Sequence, residues 1–160
     1  MKKIIVTVFI GLFIAACGRD QKTDQPAENK IVLQDNSGSA GDNPTYDPKR
    51  GEGKFTTVEL GTKLDASMAA EGEKIAGVKC TSCHKLTAEK LVGPGWKSVT
   101  ERRQPAWIMN FITNPDPMID KDPAVQAQLE LCLVRMPNQG LTDDEARKIL
   151  EFMRKNDGVI

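Results

Sequence analysis

The run Cys80-Thr81-Ser82-Cys83-His84 constrains this chain more than any other feature. Two cysteines two residues apart, followed at once by a histidine, form the attachment signature for a c-type haem. Each thiol can form a thioether with one vinyl group, and the adjacent imidazole can ligate the iron. His84 is the only histidine in the 160 residues. A bis-histidine site, a second attachment motif and a His-rich zinc site are therefore excluded. A strong sixth ligand must come from another residue type, and methionine leads.

The amino terminus reads as an export signal. Lys2 and Lys3 precede an apolar run from Ile4 to Ala16, broken only by Thr7 and Gly11. The run is shorter than the ~20 residues that span a bilayer, as suits a signal peptide. It ends Ile14-Ala15-Ala16-Cys17, which resembles a bacterial lipobox. Residues 1–16 are thus expected to be removed and Cys17 to be lipidated. That places the domain on the periplasmic side, tied to a bacterial membrane.

The full chain carries 22 basic and 22 acidic side chains. Loss of Lys2 and Lys3 leaves the mature chain at a formal −2, so there is no basic excess to attract nucleic acid. Residues 17–61 read as the lipidated cysteine and a flexible linker. The stretch 18–54 is rich in Asp, Asn, Gln, Ser, Gly and Pro, with Ile31-Val32-Leu33 the one apolar interruption. Such a composition buries too little to offset its ordering entropy. Phe55 to Leu60 alternates like a strand, with Phe55, Thr57 and Leu60 as the expected contacts.

Residues 62–160 read as one all-α domain of about four helices. Asp65 or Ser67 caps the first, which Gly77 is expected to end. Pro105 opens the second, and Asn114-Pro115-Asp116-Pro117 breaks it. The third begins near Asp122-Pro123, with Val125, Leu129 and Cys132 along one stripe. Thr142-Asp143-Asp144-Glu145 is a capping box that opens the last helix, through about Lys155. Four helices with long loops make a poor core on their own. A buried haem supplies the missing apolar centre, so the apoprotein is expected to be largely unfolded.

Among the methionines, Met68, Met109 and Met153 lie on helical stripes, where packing is the usual role. Met118, in a proline-broken stretch, and Met136, in a loop 52 positions after His84, are the remaining candidates for the iron. Cys132 is left unpaired and reads as a small apolar residue. Trp96, Trp107, Arg102 and Arg103 carry N–H donors suited to haem propionates.

In order, the chain has a glycine-bearing helix, Cys80–His84, Gly93-Pro94, Met136-Pro137 and a capped final helix with Phe152. This order resembles class I cytochrome c over about residues 62–156. The resemblance implies a mono-haem fold with haem c covalent at Cys80 and Cys83. It implies His84 and Met136 as axial ligands, and a Pro94 carbonyl that accepts the second ring N–H of His84. It places Gly72 and Phe152 near the crossing of the first and last helices. The stretch 114–133 is an insertion relative to the smallest members of the family.

The implied function is single-electron transfer without a substrate. Expected partners are a quinol-oxidising complex as donor and a terminal oxidase or periplasmic reductase as acceptor. A haem-based sensor or redox enzyme would need a displaceable distal ligand, and a peroxidase would want a distal histidine that the chain lacks. Zinc at Cys80 and Cys83 would need four ligands, with His84 and Cys132 completing an awkward set.

Overall fold

The computed structural model describes residues 46–160, and the signal sequence, Cys17 and the linker up to residue 45 lie outside them. Six helices follow in order: α1 (Ala66–Lys79), α2 (Val99–Arg102), α3 (Pro105–Thr113), α4 (Pro115–Lys121), α5 (Pro123–Cys132) and α6 (Asp143–Asn156). Among the described residues there is no strand, only an isolated bridge between His84 and Lys90. The all-α expectation holds, with two more short helices than the four expected.

Local chemistry explains most of the helix ends. The Asp65 carboxylate accepts the Met68 N–H and opens α1. Gly77 does not stop that helix, which continues to Lys79. The Thr142 and Glu145 side chains cap each other's backbone N–H at the start of α6. Pro115-Asp116-Pro117 starts α4 as well as ending α3. Both prolines sit in the first turn, where a missing N–H leaves no helical bond unmade.

The main scaffold is α1 packed along α6. Gly72 allows that approach. A Cβ there would stand 2.0 Å from the Lys148 carbonyl oxygen and 2.4 Å from its carbon. Those atoms belong to a helix backbone and cannot swing away. Gly72→Ala should therefore lower Tm by roughly 10 °C or more in thermal melts, since overpacking costs 1–3 kcal/mol or more. Gly77→Ala in the same helix meets nothing within 4 Å and should raise stability by up to ~1 kcal/mol. Equal effects at the two sites would refute this account of the crossing.

Helix α3 packs against α6, and α4 bridges α3 and α5. The extensive helix contact of α5 is with α4 alone. Its inner side, including Val125, Leu129 and Cys132, faces a cavity instead of another helix.

Residues 46–54, read from composition as linker, are packed onto the domain, and so is the 55–60 stretch that was expected to make contacts. Asn110 on α3 is buried, and its amide donates to the Arg50 and Phe55 carbonyls and accepts the Phe55 N–H. Three satisfied bonds at ~1 kcal/mol net each make this a firm attachment. Farther along, Arg154 of α6 donates to the Gly61 carbonyl at 2.7 Å. Phe55, Val58 and Leu60 pack on the core, while Thr57 is exposed. The contacts thus follow no strict alternation, because the segment is irregular and is held by distant partners.

Candidate haem site

Immediately after α1, the Cys80 carbonyl accepts the N–H groups of Cys83 and His84 at 3.0 Å, so the motif turns tightly back on itself. The loop that follows folds over it: Val92 and Gly93 donate to the Cys83 carbonyl, and Trp96 donates to Lys85. The chain thereby delivers Pro94 to the imidazole. His84 Nδ1 donates to the Pro94 carbonyl oxygen at 2.8 Å.

A carbonyl can only accept, so the proton resides on Nδ1 and Nε2 keeps its lone pair. Burial lowers the His84 pKa below its ordinary value, partly opposed by the Pro94 contact. The ring is thus neutral at pH 7 and ready to ligate a metal. Gly93 lies hard against the ring, since a Cβ there would stand 2.4 Å from the imidazole Cε1. Burial also pushes the unattached Cys80 thiol up to about 11, against the pull of Lys79. Trp96 is buried behind the imidazole, with ring centroids 5.7 Å apart, and meets Phe152 edge-on at 6.5 Å.

One cavity of about 390 Å³ gathers the candidate residues. Cys80, Cys83, His84, Pro94 and Trp96 line it from the attachment loop. Arg102 and Arg103 enter at the α2–α3 corner, and Met136 enters from the loop before α6. Ile108, Phe111, Ile112 and Leu129 contribute apolar walls. Cys132 is half-buried and also lines the cavity.

Met118, the other candidate ligand, is elsewhere. It is fully buried on α4, and its sulfur accepts the Glu52 N–H at 2.9 Å. Trp107 lines the cavity, but its indole N–H is bound to Asp122 at 2.7 Å and is not available to a propionate. Sequence inspection missed Asp122, which is buried at the start of α5. Its carboxylate accepts from Ala124 N, Val125 N, Trp107 Nε1 and the Tyr46 hydroxyl. A buried carboxylate with four donors is well satisfied. The only advance signal was an Asp-Pro pair at a helix start. Arg103 lies over the Trp107 ring at 4.5 Å, and no group among the described residues accepts from its guanidinium.

A cytochrome c family model matches residues 69–157, from within α1 to the residue after α6. The chain belongs to the cytochrome c family. Cytochrome c from Rhodothermus marinus is 36% identical, with a TM-score of 0.64 over 66% of this chain and 90% of that one. An engineered form of that protein is 35% identical over the same shares, with a TM-score of 0.63. Another engineered form, bound to a carbene intermediate, is 36% identical with a TM-score of 0.61. No curated protein matches the chain significantly.

Membership in this family implies covalent haem c and haem-based electron transfer. The residues of this cytochrome c domain fit that group. Two thiols, a neutral imidazole with a free lone pair and an apolar enclosure meet in one cavity. Outside it, no cluster of His, Cys, Asp or Glu among the described residues is suited to a metal.

Proposed function

We propose that the protein is a mono-haem electron carrier of the class I type, with His84 and Met136 as axial ligands. The observation that carries this reading is that a methionine thioether and the oriented imidazole line the same cavity as Cys80 and Cys83. The bound haem supplies one-electron chemistry, cycling between Fe(III) and Fe(II). Cys80 and Cys83 hold it covalently. Pro94 fixes the imidazole, and Trp96 and Phe152 buttress it. Arg103 and the Trp96 indole are the donors best placed for propionates, whereas Arg102 already donates to the Lys97 carbonyl.

The ending Ile14-Ala15-Ala16-Cys17 supports a lipid-anchored, periplasm-facing protein. Partners suited to that setting are a quinol-oxidising complex and a terminal oxidase or periplasmic reductase, met through small transient interfaces.

A second reading is a sensor or redox enzyme with a displaceable distal ligand. It draws support from the engineered Rhodothermus marinus protein that holds a carbene intermediate. Carbon monoxide added to the reduced holoprotein separates the two. The electron carrier should show no rapid spectral shift. Prompt, saturable binding would replace the carrier with the second reading.

A further inference from the structure

We propose that a groove outside the haem cavity binds a phosphate group. It has a volume of about 380 Å³ and lies between Pro48–Lys49 and the α2–α3 corner, Thr100 to Pro105. Lys49, Arg102 and Arg103 line it, and none has an ion-pair partner among the described residues. Other cations on the domain are matched, as in Lys79–Glu145, Lys85–Glu89 and Arg135 with Asp116 and Asp120; Arg50, Lys63, Lys74, Lys90 and Lys97 are unpaired as well, but none of them lines this groove.

Both arginines are held in place. Arg103 stacks on Trp107, and Arg102 is tied to the Lys97 carbonyl. Fixed guanidinium forks suit oxyanions. Glu101 is the one carboxylate in the lining. Three cations against one anion leave a formal excess of two, or of one where Arg103 is engaged by a haem propionate, and either value attracts an anionic phosphate. The first turn of α3, which Gln104 leaves without a side-chain cap, opens at the same place and adds a weaker attraction for negative charge. Pro48 and Lys49 precede the stretch that matches the family model, whereas Thr100 to Pro105 lie within it, so the groove forms where this chain's flank meets the family domain.

Arg102 and Arg103 line the groove and the haem cavity alike. A bound anion therefore favours the more positive, oxidised iron, and by linkage the ferric protein binds the anion more tightly. The coupling and Arg103's share in the binding rest on the haem reading; the contribution of Lys49 does not.

The test titrates inorganic phosphate into full-length holoprotein, ferric and ferrous, at ionic strength held constant with chloride. Amide NMR shifts and the midpoint potential are followed together. A parallel titration with glycerophosphoglycerol, a soluble phospholipid headgroup, tells a lipid source from the dissolved ion. Saturable shifts at Lys49 and residues 100–104 are expected. Lys49→Gln should weaken the affinity about tenfold, the effect of one charge-assisted hydrogen bond, with the haem spectrum unchanged. Lys74→Gln, at an exposed and unpaired lysine on α1, should not.

A threefold ferric preference would appear as a potential lowered by about 28 mV, at 59 mV per tenfold. Tighter binding of phosphate assigns the groove to the free ion; tighter binding of the diester assigns it to a headgroup. Shifts identical to those with chloride, or an affinity unaffected by Lys49→Gln, overturn the site. Equal binding by both oxidation states overturns the coupling and leaves the site standing.

Discussion

Protein made without haem attachment, as the Cys80→Ala/Cys83→Ala double variant, will lose most of its helical circular dichroism and its cooperative melt. The cavity at the centre of the domain is about 390 Å³, and at ~24 cal/mol per Å³ an empty space of that size costs at most about 9 kcal/mol. Water entering through the open side lowers the figure. It remains comparable to the ~5–15 kcal/mol that holds a whole domain together. Position matters as much as size. Helix α5 leans on α4 and otherwise faces the cavity, so it loses its inner support first. The 133–141 loop, which brings in Met136 and Leu141, goes with it. In residual apoprotein, amides of α5 and this loop should exchange faster than those of the α1–α6 pair. A double variant with full helix content and one sharp melt would show that the polypeptide core suffices.

Replacing Met136 will have the second largest effect. Met136→Ala should abolish the weak far-red sulfur-to-iron band of the ferric protein. Met136→His should in addition lower the midpoint potential by an amount on the order of 0.2 V, within the ~0.8 V span over which axial ligands set haem potentials. The informative control is Met118→Leu. Its side chain is enclosed on α4 and its sulfur faces the Glu52 N–H. The swap is nearly volume-conserving, so it should cost less than ~1.5 kcal/mol and leave the spectrum intact. A far-red band that survives Met136→Ala, or disappears with Met118→Leu, would reassign the distal ligand. Optical spectroscopy and redox titration of the three purified holoproteins are sufficient.

How much could be read beforehand depended on the range of each interaction. The attachment run, the α6 capping box and Pro105 at the head of α3 are signals within a few residues, and the structure has them where expected. Gly72 was legible because a glycine inside a helix needs a packing reason, and the Lys148 backbone supplies it. The helix α4 was hidden because two prolines so close together read as a break, although first-turn positions tolerate both. Residues 46–54 were hidden for another reason. Their composition is that of a solvated chain, and what fixes them are partners far along the sequence: Asn110, Met118 and Asp122. The Asp122–Trp107 bond, 15 positions apart, is invisible to periodicity for the same reason. Of the site, the covalent and axial candidates were visible as residue types. The removal of Trp107 from the propionate donors required three dimensions.

The anchoring of residues 46–61 also decides where mechanical load enters the domain. Tension along the amino-terminal chain is first resisted by the Tyr46–Asp122 hydrogen bond and by the Asn110 bonds to Arg50 and Phe55, all upstream of α1. Force is thus shed into α3 and the start of α5 before it can reach Cys80 and His84. The attachment loop is thereby shielded, and tugging at the amino terminus should leave the Cys80–His84 turn unstrained.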